Sequence, residues 1–313
     1  MSVESRLRLG LAGLVALAVV TVAGAGAFVL LDRFGDIEEQ EIAGHVGRAK
    51  TALADYLVVL KGKAGDWAQW DESYEFVAQP SDDFVQRNVP TNSLVQLDLN
   101  LVAFLDAEGK TVFAKAVDAA TGNTVPMPAP FDRQVPRDSP LLQPVDPIGG
   151  VSGLLMVDGK CLLAAARPIL TSEGRGPARG TLIFGRFADG PFVERLRGLA
   201  HLDLSFHPYD GDPLPRDFRE ARDALEGFGD IHVRKLDSDR MVAFALVPGL
   251  NSRPALVLRV EMTRPVHAAA QSSLFWLVVV AAGAIVVFGL LAWLLAGRWF
   301  ARRPASPGGA AVP

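Results

Sequence analysis

Apolar positions recur along residues 32–76 with the spacing of a helix. The steps between them alternate between four and three residues, with one break at Lys63, and no proline interrupts the segment. This pattern predicts a long helix over 32–76, whose seam extends about 50 Å at 1.5 Å per residue. The seam positions are Ile42, Val46, Ala49, Leu53, Tyr56, Leu60, Lys63, Trp67, Trp70 and Tyr74.

From Asn100 the pattern changes to the alternation of strands. The segments "LNLVAFL" and "TVFAKAV", joined by "DAEG", predict one hairpin. A second hairpin is predicted where "GLLMV" and "KCLLAAARPIL" flank Asp158-Gly159, a pair that suits a two-residue type I′ turn. The link "TSEGRGPARG" then leads to the strand "TLIFGRF". We expect a main antiparallel sheet over 97–190, interrupted by a proline-rich loop over 122–147.

Residues 200–262 predict a smaller β-α-β-β-β unit. The sequence does not decide whether this unit is a separate domain or extends the main sheet. The predicted fold class is therefore α+β, with a long N-terminal helix leading into a curved antiparallel sheet.

Two uncharged apolar runs flank this region, at 9–31 and at 272–297. Each is long enough for a transmembrane helix, which needs about 20 apolar residues. A cleaved signal peptide is the alternative for the first run, because Ala23-Gly24-Ala25 has the spacing of a cleavage site. The run is long for a signal core and continues past that site, which favours the span.

Basic residues next to the two runs predict the topology. Arg6 and Arg8 precede the first run, and Arg298, Arg302 and Arg303 follow the second. By the positive-inside rule, both termini are expected in the cytoplasm and the central part outside it. The predicted order is a cytoplasmic N-terminus (1–8), a first span (9–31), an extracytoplasmic domain (32–271), a second span (272–297) and a short cytoplasmic tail (298–313).

Charge and cysteine content narrow the function classes. The two ends carry five arginines and one glutamate, a net +4, so the overall charge of −4 leaves −8 on residues 32–271. This acidic domain argues against nucleic acid as a partner. Cys161 is the only cysteine, which excludes an internal disulfide and favours a buried small hydrophobe.

The sequence predicts no catalytic, metal or cofactor site. The histidines lack metal-ligand spacing, and "GRGPARG" lacks the features of a phosphate loop, so a glycine-rich hairpin is expected there. Asp66 and Asp71 would lie roughly 140° apart on a helix, too far around to act on one bond. The chain is therefore not expected to be an enzyme.

The candidate ligand site is the aromatic end of the long helix, with Trp67, Trp70, Asp71 and Tyr74, together with Arg167. In a structural interpretation the aromatics end the packing seam, and Asp71 makes an ion pair or a hydrogen bond, for example to Arg167, that fastens the helix to the sheet. In a functional interpretation the aromatics and the carboxylate bind an amine or another polar metabolite. Asp71→Ala distinguishes the two.

These segments resemble the CHASE type 4 domain, an extracytoplasmic sensory module of bacterial cyclases, phosphodiesterases and histidine kinases. The resemblance covers most of residues 34–271 and lies in "DWAQWDESYEFV", "NSLVQLDLNLVAFLDAEGKTVF" and "ARPIL…GPARGTLIFGRF". The matching positions are Asp66, Trp67, Trp70, Asp71, Tyr74, Arg167, Pro168, Ile169, Gly176, Pro177 and Gly180.

The resemblance implies a Cache-like, PAS-related sensory fold without naming a ligand. Such modules normally feed a cytoplasmic output domain, whereas here about 16 residues follow the second run, at 298–313. The leading hypothesis is a two-pass bacterial inner-membrane sensor that binds a small molecule and acts on a histidine kinase or cyclase in trans. The alternatives are an envelope-protein interaction module without a metabolite ligand and a remnant of a longer receptor. The helical seam and the small residues of the first run also permit a homodimer.

Overall fold

The structure is a computed structural model of the chain and describes residues 3–128, 135, 139–142 and 148–301. Much of the proline-rich 122–147 segment and of the 298–313 tail, including Arg302 and Arg303, lies outside the described residues, as do the first two residues of the predicted 1–8 terminus. Across the described part of the chain, no helix has a stretch both long and apolar enough to count as a membrane span.

Helices and strands alternate in the order expected for an α+β fold. The helices are α1 (Val3–Ala68), α2 (Asp71–Ala78), α3 (Asp82–Asn88), α4 (Thr91–Gln96), α5 (Gly190–Ala200), α6 (Arg216–Ala224) and α7 (Pro265–Ala301). The strands are β1 (Leu101–Asp106), β2 (Thr111–Val117), β3 (Thr124–Val125), β4 (Val151–Val157), β5 (Lys160–Pro168), β6 (Gly180–Phe187), β7 (Asp203–Pro208), β8 (His232–Lys235), β9 (Arg240–Pro248) and β10 (Pro254–Thr263).

The chain divides into two compact units. Unit 1 comprises Met1–Gln40, Asp237–Asp239 and Thr263–Pro313, and unit 2 comprises Glu41–Leu236 and Arg240–Met262. Unit 2 holds both sheets.

The main sheet of unit 2 has six strands in the order β3-β2-β1-β6-β5-β4. All five neighbouring strand pairs of this sheet are antiparallel, including both predicted hairpins, β1–β2 and β4–β5. Asp158 and Gly159 have positive φ angles of 49° and 71°, as the predicted type I′ turn requires. β5 and β6 pair as the expected glycine-rich hairpin.

The smaller sheet has four strands in the order β7-β10-β9-β8. The predicted β-α-β-β-β order is confirmed, with α6 following β7. One continuous buried core contains residues of both sheets, such as Phe104 of β1 and Leu258 of β10, together with the α1 seam. The smaller sheet is therefore separate in its hydrogen bonding but shares a core with the main sheet.

Burial on both faces explains the apolar runs of the strands. Val102 and Phe104 of β1 face the core that includes α1, while Leu101, Ala103 and Leu105 belong to a second cluster. Strands buried on both faces lose the apolar-polar alternation of a half-exposed sheet.

The predicted 32–76 helix is wrong at its C-terminal end. α1 is continuous from the first apolar run, as expected, but it ends at Ala68 and a new helix, α2, begins at Asp71. Trp70 between them is extended, with φ −113° and ψ 138°. The helix continues through Lys63, the polar residue that interrupts the apolar seam. Lys63 stays at the seam because its ammonium group donates a 2.9 Å hydrogen bond to the Leu97 carbonyl.

A buried ion pair lies within unit 1. Arg264, between β10 and α7, is 6% exposed, and Glu38 of α1 is 1% exposed. The Arg264 Nε and Nη2 atoms each lie 2.9 Å from Glu38 Oε2. Arg264 also donates to the Ser238 carbonyl from its side chain and to the Asp239 carbonyl from its backbone. One arginine thus connects α1, the β8–β9 turn and the start of α7.

Candidate functional site

The two helices of the predicted site meet at a sharp break that the β5–β6 loop closes. The backbone N–H of Leu170 donates to the Ala68 carbonyl at 3.1 Å, so the loop satisfies one of the free carbonyls at the end of α1. The loop then runs along the start of α2. The aromatic segment is therefore a junction between a helix end and a loop.

Asp71 fastens this loop by a reciprocal pair of hydrogen bonds. Its Oδ1 accepts from the Ser172 N–H at 2.9 Å, and its own N–H donates to Ser172 Oγ at 3.1 Å. Asp71 is exposed. The structural interpretation allowed an ion pair or a hydrogen bond, and the structure shows hydrogen bonds to Ser172, beyond the end of β5, where Arg167 was the example given.

Arg167 of β5 contacts α1 at a different place from the aromatic junction. Its guanidinium packs against Gly65, where an added Cβ would come within 3.0 Å of Nε. Its Nη1 donates to the Gly149 carbonyl. Because Gly65 has no side chain, the Arg167 guanidinium can pack directly on α1. This contact joins the sheet to α1 about one turn before the aromatic junction.

Tyr74 holds the far end of the same loop. Its hydroxyl donates to the Pro177 carbonyl at 3.2 Å, and the Arg179 guanidinium carbon lies 3.8 Å from the centre of its ring. Arg179 also donates to the Tyr74 carbonyl at 3.1 Å. The ring and the hydroxyl of Tyr74 are thus both occupied by contacts within the chain, with Arg179 and Pro177.

The two tryptophans pack on each other and on the main sheet. Their rings stack with centroids 5.4 Å apart and an interplanar angle of 20°, and Trp67 meets Phe184 of β6 edge-on, also at 5.4 Å. Of the five sequence-predicted residues, Trp67, Trp70, Asp71 and Tyr74 come together at the junction. The structure gives each of them a partner within the chain, and ligand binding there stays a prediction.

A cavity of about 750 Å³ lies elsewhere in unit 2 and is lined by residues of both sheets. The predicted site residues do not contribute to its lining. Its walls are mostly apolar and include Val117, Val125, Met127, Val157, Phe187, Phe206 and Leu256. Its polar lining residues are Asn100, Asp118, Asp158, Lys160 and Asp189. Small-molecule sites have this size and this mixture of apolar walls with a few polar groups.

Cys161 forms part of the cavity wall. It is 5% exposed, and burial raises the pKa of its thiol to about 12. The thiol is therefore neutral at ordinary pH and contributes an apolar surface. This confirms the expectation of a buried small hydrophobe and places the single cysteine of the chain at the candidate site.

Asn100 and Asp189 of the lining are held by a buried arginine, Arg186 of β6, which is 2% exposed. Arg186 Nη1 donates to Asn100 Oδ1 at 2.6 Å and to Asp189 Oδ2 at 2.9 Å. Burial disfavours the cation, but the hydrogen bond and charge of Asp189 and the charge of Asp98 outweigh it, and the pKa of Arg186 is raised.

The arginine continues this network to α1. Arg186 Nε donates to Asp98 Oδ1 at 3.2 Å, and the Tyr56 hydroxyl of α1 donates to Asp98 Oδ2 at 3.0 Å. Burial, then the charge of Asp98, raise the pKa of the Tyr56 phenol. Arg195 of α5 also pairs with Asp98. We refer to Tyr56, Asp98, Asn100, Arg186 and Asp189 as the Arg186 network.

The sequence analysis did not identify the network or the cavity. One signal was present, because Arg186 is a charged residue inside the apolar strand "TLIFGRF", and a charge there needs buried partners. Asp98 and Asp189 offered no comparable signal, since aspartates in turns and before helices are common for local reasons.

Comparison with known proteins identifies the family. The family model described as the CHASE4 domain matches residues 52–207. This stretch covers about the last quarter of α1, the aromatic junction, the main sheet and most of β7. Residues 52–207 are a CHASE4 domain. The resemblance given by the sequence motifs is confirmed, and the CHASE4 domain is a sensory module that lies outside the cytoplasm.

One curated relative of the CHASE4 chain is the methanogenesis regulatory histidine kinase FilI of Methanothrix harundinacea (strain 6Ac). It is 27% identical over 239 residues, which make up 76% of this chain and 26% of the kinase. The chain therefore spans about a quarter of that relative's length.

Two solved structures resemble the CHASE4 chain at low identity. The extracellular domain of the candidate histidine kinase vpHK1S-Z8 is 11% identical, with a TM-score of 0.47 over 76% of this chain and 95% of that one. The periplasmic domain of Vibrio cholerae LuxQ is 14% identical, with a TM-score of 0.44 over 70% of this chain and 97% of that one. The family assignment rests on the CHASE4 match and not on these two structures.

The described residues contain no group of three or more histidine, cysteine, aspartate or glutamate side chains arranged to hold a metal ion. The cavity itself offers apolar walls and a few hydrogen-bonding groups.

Proposed function

We propose that the chain is a membrane-anchored extracytoplasmic sensor that holds a small molecule in the cavity of unit 2 and signals to a histidine kinase in trans. The observation that carries the proposal is a cavity of about 750 Å³ with apolar walls and a few polar groups, lined largely by residues of the CHASE4 domain. We propose no catalytic activity for the chain itself.

The polar lining favours a ligand that donates hydrogen bonds. Three carboxylates line the cavity, those of Asp118, Asp158 and Asp189, against one ammonium group, that of Lys160. Backbone N–H groups of residues 120 and 121 lower the pKa of Asp118, which keeps it ionised. We therefore propose a small organic cation, such as an amine with an apolar body, as the ligand class.

Membrane anchoring is supported by the sequence. The uncharged runs over 9–31 and 272–297 have the length of spans. Arginines lie just before the first run and just after the second. This arrangement supports two spans with both termini in the cytoplasm.

The proposal of a histidine kinase as the partner is based on the curated relative FilI. That protein is named a histidine kinase, and this chain corresponds to about a quarter of it, 26%. We therefore propose that the sensory region signals to a histidine kinase.

The single cysteine provides the test of ligand binding. The full chain in lipid nanodiscs is treated with methyl methanethiosulfonate at pH 8, alone and with millimolar phenethylamine or 3-phenylpropionate, which have similar apolar bodies and opposite charge. With a pKa of about 12, Cys161 has a far smaller thiolate fraction than a free thiol, so we expect its modification to be on the order of 1,000-fold slower.

We expect phenethylamine to slow the modification of Cys161 further and 3-phenylpropionate to have little effect. Cys161→Ala serves as the blank for other reactive groups. Equal protection by both compounds contradicts the proposed cation, and no protection by either contradicts ligand binding in this cavity.

Reporter fusions test the anchoring. A periplasmic reporter inserted near Gly122 should be active and one fused after Pro313 inactive. The reverse pattern contradicts the two-span topology.

A further inference from the structure

One carboxylate belongs both to the cavity and to the Arg186 network. Asp189 lines the cavity, and its side chain is 39% exposed. Its Oδ1 accepts from the Phe192 N–H at 3.0 Å as the N-cap of α5, while its Oδ2 accepts from Arg186. A molecule in the cavity can thus reach the carboxylate that Arg186 uses.

The arginine behind Asp189 has little freedom to leave. It is 2% exposed, and its donors go to Asp98, Asn100, the Phe187 carbonyl and Asp189. Because a buried guanidinium must keep its hydrogen bonds, any loss at Asp189 has to be compensated within the same set of acceptors.

Asp98 is the remaining charged acceptor of that set and connects it to α1. Its side chain is 14% exposed and accepts from Arg186 on Oδ1 and from both Tyr56 and Arg195 on Oδ2. Asp98 itself has a positive φ of 59°, which fixes its backbone in a sparsely populated region for a non-glycine residue. A change in its bond to Arg186 is therefore passed to the Tyr56 hydroxyl.

The Tyr56 ring is held independently of its hydroxyl. It meets the Phe192 ring edge-on at 5.0 Å between centroids, with an interplanar angle of 79°. Phe192 follows Asp189 in the first turn of α5, so both the network and this ring contact lead from the same helix start to α1.

From these contacts we infer that the Arg186 network couples the cavity to α1. A hydrogen-bond donor that binds Asp189 competes with Arg186 for the carboxylate, Arg186 shifts toward Asp98, and the hydrogen bond from Tyr56 to Asp98 weakens. Arg186 is a positioning residue in this scheme, since it acts through the two aspartates. The inference rests on the proposed function of the cavity as the sensory site.

The three tyrosines of the chain make this coupling measurable. Tyrosine labelled with ¹³C at Cζ gives one resonance each for Tyr56, Tyr74 and Tyr209, and the resonance reports the hydrogen bond of the hydroxyl. Tyr→Phe variants assign them. Tyr74 is the matched control, because its hydroxyl donates to the Pro177 carbonyl, outside the network.

The first measurement compares Asp189→Asn with Asp118→Asn in the full chain in nanodiscs. Asparagine preserves the N-cap of α5 while removing the charge that holds Arg186. Both aspartates line the cavity, but Asp118 bonds to backbone N–H groups of its own turn. We expect Asp189→Asn to displace the Tyr56 resonance and leave that of Tyr74 in place, and Asp118→Asn to move neither.

An unmoved Tyr56 resonance in Asp189→Asn overturns the coupling, and so does an equal displacement of Tyr56 and Tyr74. The second measurement needs no variant and titrates phenethylamine into the unsubstituted chain. The expected result is displacement of Tyr56 at the concentrations that protect Cys161. Protection of Cys161 with a fixed Tyr56 resonance overturns the coupling and leaves the cavity as a binding site, so the two proposals fail separately.

Discussion

At the scale of single residues, Arg186 carries the largest concentration of buried charge interactions described in unit 2. A cation that is 2% exposed between two aspartates is stable only while its partners are present. Removing one member of a buried ion pair leaves the other charges desolvated and uncompensated, whereas exposed pairs contribute little. Arg186 and the exposed Arg175, which pairs with Glu173, therefore differ greatly in what they contribute to stability.

We predict that Arg186→Met lowers the free energy of unfolding by about 3 kcal/mol, because Asp98 keeps only the exposed Arg195 as a cationic partner and the Asn100 and Phe187 oxygens lose this donor. Urea unfolding of the full chain in nanodiscs, followed by tryptophan fluorescence, measures the change. Arg175→Met is the control and should shift the unfolding midpoint far less, since that pair is 75% and 67% exposed. Equal midpoints for the two variants would show that the network is not stabilising.

A second residue-scale prediction concerns His207 of β7. Burial lowers its pKa from 6.5, and the charge of Asp217 opposes this only partly. The unfolded chain then binds the proton more tightly than the folded one. The contribution of His207 to stability is complete above pH 6.5 and is lost as the pH falls through the lowered pKa.

We expect the urea midpoint to fall between pH 7 and pH 5, and His207→Gln to reduce this fall. His201→Asn is the control, because His201 is exposed and its left-handed backbone, with φ 52°, suits asparagine. A His207→Gln profile as steep as that of the unsubstituted chain contradicts the assignment.

At the scale of elements, the junction between α1 and α2 depends on the loop that follows β5. We predict that Asp71→Ala leaves the fold intact and accelerates hydrogen exchange of the Ser172 amide, because that N–H loses its acceptor. The net loss in stability should be about 1 kcal/mol, as for a single exposed hydrogen bond. Exchange mass spectrometry over residues 169–180 measures it, with Asp66→Ala on the last turn of α1 as control. Global unfolding of Asp71→Ala would instead support a structural role for the whole domain.

The elements differ in how well the sequence predicts them, for physical reasons. The hairpins β1–β2 and β4–β5 were predictable because turn chemistry and strand period are local. The break at Trp70 was not, because the 3.5-residue spacing continues through it and the cause is the Leu170 N–H bonded to Ala68, about 100 residues away in sequence. The helices α3, α4 and α5 were not predicted. They depend on caps and on packing, and their sequences contain no long apolar stripe.

The candidate site was the least predictable part. The tryptophans and Tyr74 were identified by composition, but their partners, Phe184, Pro177 and Arg179, come from distant strands and loops. The cavity depends on where two separate sheets leave a gap, which no local pattern encodes. Only Arg186 could have been noticed in the sequence, because it is a single charged residue within an apolar strand.

At the scale of the whole molecule, the coupling that we propose lies within unit 2, between a cavity lined by both sheets and the part of α1 that carries Tyr56. α1 carries both the Tyr56 hydroxyl of the network and, in unit 1, the buried Glu38. In the proposed scheme a ligand changes a hydrogen bond of α1, so the contacts that hold α1 in place matter for the response.

The ion pair of Glu38 and Arg264 is such a contact within unit 1. We predict that Glu38→Met and Arg264→Met each lower the free energy of unfolding by roughly 3–5 kcal/mol, because each removes one charge of an ion pair whose side chains are 1% and 6% exposed. The double variant should recover much of this loss, since two apolar side chains can pack where two charges were buried.

A double-mutant cycle of urea unfolding, on the full chain in nanodiscs, gives the coupling energy of the pair. The exposed pair Arg216 and Glu220 of α6 provides the matched cycle and should show a much smaller coupling. Additive losses in the Glu38 and Arg264 cycle would mean that the two residues stabilise unit 1 independently. The bonds of Arg264 to the Ser238 and Asp239 carbonyls would then hold the start of α7 to the β8–β9 turn, and the charge of Glu38 would contribute nothing to joining α1 to Arg264.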